Sequence, residues 1–129
     1  MGFDDTIRRL PVAPDVAEAF RQIPNRLDEL GYDSWGFNPE IAQRVYTVLG
    51  KAVWKWFHPE VHGIHNVPEG RVLIVANHSG QLPYDGMVTC MACLLHADPP
   101  RIVRAMAERW FPTIPYLNEL FTRSGVVVG

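Results

Sequence analysis

Residues 71–86 read Arg-Val-Leu-Ile-Val-Ala-Asn-His-Ser-Gly-Gln-Leu-Pro-Tyr-Asp-Gly, a short apolar run followed by polar and turn-forming residues. The run 71–76 is typical of a fully buried strand, because it is rich in β-branched residues and bounded by turn formers. We therefore expect His78 to lie at the carboxyl edge of a sheet, where α/β proteins commonly bind ligands. Pro83 fixes a turn that would let the Asp85 carboxylate fold back toward the ring.

A histidine with a carboxylate on one ring nitrogen is suited to general-base chemistry. The carboxylate fixes the tautomer and favours the charged ring, so the other nitrogen is left to take a proton. Two plainer interpretations stay open on spacing alone, namely His78 bonded to the backbone of a tight turn and Asp85 acting as a helix N-cap. Ser79 lies beside the histidine without the G-x-S-x-G pattern of a nucleophile elbow.

The sequence around this stretch alternates predicted strands with predicted helices, which is typical of an α/β layer fold. The chain stops in the β-branched run Val-Val-Val after Gly125, which resembles a strand in mid-course. We therefore expect a mixed β-sheet flanked by helices, preceded by an amphipathic N-terminal helical segment, in an incomplete domain. The predicted strands are 61–67, 71–76 and 101–105, and the predicted helices are 86–95 and 116–122.

The first 57 residues are predicted to be mainly helical. A helix over 15–30 would begin at Asp15 as its N-cap and would be kinked or split by Pro24. Asn38-Pro39 predicts the start of a second helix, which continues to Phe57 with a stripe of apolar residues at helical spacing. Tryptophan, phenylalanine and lysine at its end suit a lipid interface, whereas packing of the apolar stripe against the protein's own core is the plainer interpretation.

Composition narrows the class of protein. The chain has 129 residues, 47% of them hydrophobic, which is enough for one compact domain with a core. The net charge of -2 argues against nucleic acid as the main partner, because phosphate binding needs a basic surplus. No apolar run approaches the roughly 18 residues that span a bilayer, so we expect a soluble protein or one lying on a membrane surface.

Two groups of residues could bind metal in principle, but their spacing argues against it. Pro59 and Gly63 prevent one helix from presenting the first group, and alternating strand positions would separate two of its members. The second group lies on an apolar helix, where small core residues are expected. We therefore predict no metal site at these groups, which are His58, His62 and His65, and Cys90, Cys93 and His96.

Residues 54–129 as a whole resemble the glycerolipid acyltransferase superfamily, the PlsC-like enzymes that acylate glycerol-3-phosphate or lysophosphatidate. Residues 77–85 match its first block, an Asn-His followed by an Asp. Residues 109–129 are similar to a later stretch in which an aromatic-proline helix leads to a glycine and the next strand. The strand that introduces the first block is matched at five positions, which are Val61, Gly63, Asn66, Pro68 and Gly70.

The resemblance implies a catalytic mechanism and its partners. His78 would take the proton of an acceptor hydroxyl as it attacks the thioester of acyl-CoA or an acyl carrier protein, and Asp85 would orient His78. Asn77, Ser79 and Gly80 would shape the substrate-binding loop. No metal or other cofactor is required. The acceptor would be a lysophospholipid or related glycerol compound, reached from the cytoplasmic side of a membrane to which the protein is peripheral.

The chain departs from the family pattern in two respects. Six residues separate His78 from Asp85, where the usual motif has four. The later blocks, an arginine and a Glu-Gly loop, would lie beyond Gly129. We therefore expect 1–57 to be an N-terminal helical, membrane-surface segment and 58–129 the first part of the acyltransferase domain, with little activity alone. A non-catalytic lipid-binding or interaction module of the same fold is the alternative.

Overall fold

A computed structural model describes residues 2–129 of the chain. Helices dominate it, and one small sheet joins two short strands in parallel, with Met106 opposite Val127 and Ala107 opposite Val128. The architecture is therefore α/β in class. The elements are α1 (Phe3–Ile7), α2 (Pro14–Arg21), α3 (Pro39–Val45), a π-helical turn (Tyr46–Gly50), α4 (Lys51–Phe57), a 3₁₀ turn (Ile64–Asn66), α5 (Tyr84–Leu95), β1 (Met106–Ala107), a second 3₁₀ turn (Phe111–Thr113), α6 (Leu117–Arg123) and β2 (Val127–Val128).

The prediction of strands at 61–67, 71–76 and 101–105 is wrong. Residues 71–76 form no regular structure, make no backbone–backbone hydrogen bonds and are exposed, with Leu73 at 80% and Val75 at 86% of full exposure. Residues 61–67 hold a 3₁₀ turn, and the strand expected at 101–105 begins only at Met106. A β-branched run becomes a strand only when a neighbour takes up its backbone hydrogen bonds, and within residues 2–129 this run has none. Instead of the predicted mixed sheet, the described residues form two parallel strands.

The helix predicted to end at Phe57 is confirmed as a continuous run of α3, the π-helical turn and α4. Asn38 is its N-cap, since its Oδ1 accepts a hydrogen bond from the Ile41 amide at 3.1 Å, and Pro39 takes the first helical position. The run stops where His58 adopts a left-handed conformation. Its first half lies in the core, whereas Trp56 near its end is 80% exposed.

The N-terminal helix is shorter than predicted. α2 covers Pro14–Arg21 and ends before Pro24, so the proline lies outside the helix instead of kinking it. Asp15 is not the N-cap, because Ala13 occupies that position. The Asp15 carboxylate lies in the first turn and pairs with the Lys51 ammonium group at 2.6 Å, which ties α2 to α4.

The core joins both halves of the chain. The buried apolar side chains come from α2, α3, the π-helical turn and the C-terminal half of α5, together with Phe37 before α3. Burying apolar side chains of this size stabilises the fold by about 1.5–3 kcal/mol each. The largest fully buried side chains are Val16, Phe37, Ile41, Met91 and Leu94.

The π-helical turn approaches α5 so closely that Gly50 leaves no room for a side chain. A Cβ atom there would lie far inside van der Waals contact with Sδ of Met91, whose side chain is buried. We expect Gly50→Ala to lower the free energy of unfolding by about 1–3 kcal/mol, because overpacking outweighs the better helix propensity of alanine. Chemical denaturation of both proteins measures the difference.

Gly86→Ala is the matched control, since a Cβ atom at this helical glycine meets nothing within 4 Å. It should leave stability unchanged or raise it by up to about 1 kcal/mol. Met91→Ala should reduce the cost of Gly50→Ala in a double-mutant cycle. Equal stability of the two alanine variants would contradict a steric constraint at Gly50.

Candidate active site

The structure brings His78 and Asp85 into direct contact on the protein surface. Nδ1 of His78 lies 2.9 Å from Oδ1 and 2.8 Å from Oδ2 of Asp85. An ionised carboxylate can only accept hydrogen bonds, so the neutral ring must carry its proton on Nδ1. Nε2 makes no hydrogen bond with residues 2–129, and the His78 side chain is 57% exposed. The nitrogen opposite the carboxylate is therefore open to an incoming molecule.

The Asp85 carboxylate is held in its charged form by several donors. The hydrogen bond from His78 has the largest effect and lowers the pKa of Asp85; desolvation, the next largest, raises it, and the backbone N–H groups of Gly86 and Ser79 lower it further. The Gly86 N–H lies 2.8 Å from Oδ1 and the Ser79 N–H 3.3 Å from Oδ2. A carboxylate with these partners stays ionised beside the His78 ring.

Two elements position the pair. Asp85 lies in the first turn of α5, whose N-cap is Pro83, and the Thr89 hydroxyl donates to the Asp85 carbonyl at 2.9 Å. His78 lies on the irregular segment before it, which turns back at Gly80. That glycine has a φ of +91°, a conformation that side-chain-bearing residues rarely adopt. The interpretation of Asp85 as an N-cap is wrong, because Pro83 holds that position.

The other predicted site residues differ in how they meet the pair. Ser79 contributes its backbone N–H to Asp85 and no side-chain hydrogen bond. Gly80 supplies the turn, and its N–H has no acceptor among the described residues. Asn77 is exposed and makes no hydrogen bond within residues 2–129. The loop therefore offers free polar groups beside His78.

The alternative ligand groups do not assemble. Within residues 2–129, no three histidine, cysteine, aspartate or glutamate side chains lie close enough to share a metal ion. His62 instead pairs with Glu60, with Nε2 and Oε2 3.3 Å apart. Cys90 and Cys93 are free thiols in α5, and burial raises the pKa of Cys90 to about 11. The Cys90 thiol therefore stays protonated and is a poor nucleophile at neutral pH.

A cleft of about 660 Å³ lies between α2, α4 and α5, away from the candidate pair. Its walls include the Asp15–Lys51 ion pair and the stacked rings of Trp54 and His96, whose centroids are 5.3 Å apart. None of residues 77–85 lines it. The His78–Asp85 pair is thus a surface site within the described part of the chain.

One neighbour of the pair was missed in the sequence. Tyr84, the residue before Asp85, packs its ring against Phe57 at the end of α4, with ring centroids 5.3 Å apart. The aromatic residue before the aspartate was the available signal. Its partner, 27 positions earlier, could be identified only from the tertiary structure.

Comparison with known proteins gives a family match. A model of the acyltransferase family matches residues 58–129, a segment that contains the His78–Asp85 loop, α5, α6 and both strands. No solved structure shows a significant match to the chain.

Several mycobacterial proteins are similar in sequence. An uncharacterised protein of Mycobacterium tuberculosis is 34% identical over 97 residues, which covers 72% of this chain and 26% of that protein. An uncharacterised protein of Mycobacterium leprae is 33% identical over 100 residues, covering 74% of this chain and 27% of its own length. The chain thus spans about a quarter of the length of the curated relatives it matches.

The contact between His78 and Asp85 predicts how the carboxylate titrates. The contact lowers the pKa of the Asp85 carboxyl below its ordinary 3.8. The folding stability that the contact contributes is therefore present above pH 3.8 and is lost as the pH falls through the lower pKa of the folded protein. Carbon-13 NMR of the Asp85 carboxyl should show a midpoint below 3.8, and His78→Ala should raise it.

The Asp15 carboxyl is the internal control for that titration. Its pKa is also lowered, chiefly by the hydrogen bond from Lys51, and His78→Ala should leave its midpoint where it was. An Asp85 midpoint that does not respond to the loss of His78 would show that the two side chains do not interact in solution.

Proposed function

The chain belongs to the acyltransferase family, and from that premise we propose that it transfers a fatty acyl group to a hydroxyl of a glycerolipid. The donor is acyl-CoA or an acyl carrier protein, and the acceptor is glycerol-3-phosphate, a lysophospholipid or a related compound. The observation that carries the proposal is the open Nε2 of His78 with a carboxylate on its Nδ1. That arrangement is suited to removing a proton from an alcohol.

His78 is the general base of the proposed reaction. The acceptor oxygen attacks the thioester carbonyl carbon while its proton passes to Nε2. The tetrahedral intermediate then collapses, the carbon–sulfur bond breaks, and the departing thiolate receives the proton from the imidazolium. The products are the acyl ester and free thiol, with His78 neutral again. No covalent acyl–enzyme intermediate is needed.

Asp85 has two effects on His78 in this scheme. Its two oxygens lie 2.9 and 2.8 Å from Nδ1, which fixes the tautomer that leaves Nε2 unprotonated. Its negative charge then stabilises the imidazolium formed during attack. The lowered pKa of Asp85 supports this role, because the carboxyl is ionised across the physiological range.

The loop beside His78 supplies donors for the developing oxyanion. The Ser79 N–H is already engaged with Asp85, so the Gly80 N–H is the backbone donor that we assign to the carbonyl oxygen. Asn77, the residue before His78, adds an exposed side-chain amide. The left-handed Gly80 permits a close approach of substrate because no Cβ intervenes.

A membrane surface on the cytoplasmic side is the proposed source of the acceptor. None of the helices formed by residues 2–129 has the length and apolar content needed to cross a bilayer. The end of α4 instead exposes Trp56 and Phe57 close to Lys55, a combination that favours an anionic lipid interface. We therefore propose peripheral attachment through this end of the helix.

Acyl transfer by the native gene product tests the catalytic proposal. With labelled acyl-CoA and lysophosphatidate, His78→Ala should lower kcat by about 10²–10⁴-fold, because general-base assistance is lost. Asp85→Asn should also lower kcat, since the amide carries no charge to stabilise the imidazolium. His62→Ala is the matched control, because His62 forms a similar exposed pair with Glu60.

Equal turnover by wild type and His78→Ala would exclude His78 as the base.

The exposed apolar run at Val72–Val75 favours a second candidate, a non-catalytic lipid-binding module. A lipid-binding module predicts that wild type and His78→Ala both bind lipid and that neither transfers an acyl group.

Vesicle binding tests the proposed membrane contact. Trp56→Ala should weaken cosedimentation with vesicles containing anionic phospholipid by about three- to tenfold, since a large interfacial aromatic side chain is removed. Trp35→Ala is the control, because the Trp35 side chain is 71% exposed, similar to the 80% of Trp56, but lies outside α4. Equal losses for both variants would contradict a specific role for the end of α4.

A further inference from the structure

We propose that Tyr84, held by Phe57, is a positioning residue that keeps Asp85 against His78. The proposal rests on the acyltransferase function above and extends it to two residues other than the His78–Asp85 pair. Phe57 is the last residue of α4 and Tyr84 the first of α5, so their contact joins the two helix ends. Asp85 follows Tyr84 directly in the chain.

The contact is geometrically specific. The two ring centroids lie 5.3 Å apart with an angle of 47° between the ring planes, within the range in which aromatic side chains attract each other. Both rings are partly exposed. Phe57 is the last residue of α4, which stops at the left-handed His58.

The first turn of α5 has few other attachments. The buried residues of this helix are Met91 to Leu94, almost two turns beyond Asp85. Its N-cap, Pro83, offers no side-chain hydrogen bond to the helix. The packing of Tyr84 on Phe57 is therefore a tertiary contact that restrains the turn bearing Asp85, in addition to the local hydrogen bond from Thr89.

Loss of this restraint has a consequence at His78. Asp85 must keep its oxygens within hydrogen-bond distance of Nδ1 to hold the Nδ1–H tautomer. When the first turn of α5 is free to move, the neutral ring shifts toward the Nε2–H tautomer that imidazoles prefer in water. That tautomer cannot act as a base at Nε2, so kcat falls while substrate binding is less affected.

Nitrogen-15 NMR of the His78 ring in the 129-residue chain reads the tautomer directly. At a pH where the ring is neutral, wild type should be mainly Nδ1–H, whereas Tyr84→Ala and Phe57→Ala should be mainly Nε2–H. Tyr84→Phe should restore the Nδ1–H form, since the ring is kept. Phe3→Ala is the control, because it removes a similar aromatic contact, that with Tyr116.

Kinetics of the native gene product give the second readout. Tyr84→Ala should lower kcat by about two- to tenfold with a smaller change in KM, as expected from loss of one aromatic contact. Circular dichroism verifies folding, and Tyr84→Leu provides a second variant without an aromatic ring. The effects of Phe57→Ala and Tyr84→Ala should be less than additive, because each removes the same contact.

The outcomes separate this inference from the proposed function. An unchanged tautomer in folded Tyr84→Ala and Tyr84→Leu overturns the positioning role, whatever the activity. A tautomer shift in proteins that show no acyl transfer supports the positioning role and refutes the proposed reaction. A similar shift in Phe3→Ala would also overturn the inference, because the effect would then be general loosening.

Discussion

The burial of the C-terminal half of α5 is the interaction on which the rest of the structure depends. Met91 and Leu94 are almost fully enclosed by side chains of α2, α3 and the π-helical turn, and Gly50 allows the backbone to approach Met91 closely. This packing sets the direction in which α5 leaves the core. The opposite end of the same helix carries Asp85, so the core determines where the carboxylate is presented.

The candidate site joins a residue on a helix, Asp85, to a residue on an irregular segment, His78. Asp85 belongs to a helix with one end in the core, whereas His78 follows a segment with no regular structure and exposed apolar side chains. The carboxylate bridges the two by accepting from the ring and from the Ser79 amide. Hydrogen bonds to an ionised carboxylate are roughly twice as strong as those between neutral groups. The aromatic end of α4 lies beside this loop and brings the proposed lipid contact close to the site.

The helices from Asn38 onward were predicted well and the strands poorly, for a physical reason, whereas the helix predicted over 15–30 already ends at Arg21. The helix ending at Phe57 could be predicted from Asn38 and Pro39 and from apolar spacing, because capping and helical periodicity are local properties. Helix α5 likewise lies within two residues of its predicted start. The apolar run at 71–76 has the composition of a strand, but strand formation needs a partner, and residues 2–129 provide none for it.

The sequence by itself determined the helical segments from Asn38 onward, the α/β class and the presence of a histidine, a glycine turn and an aspartate in one short stretch. It left open whether His78 faces Asp85 or the backbone, because six intervening residues allow either. Only the tertiary structure decided that the ring meets the carboxylate, that half of the amphipathic helix is core and that Tyr84 meets Phe57. These outcomes depend on contacts between residues distant in sequence or on the folded path of a loop, neither of which local propensity encodes.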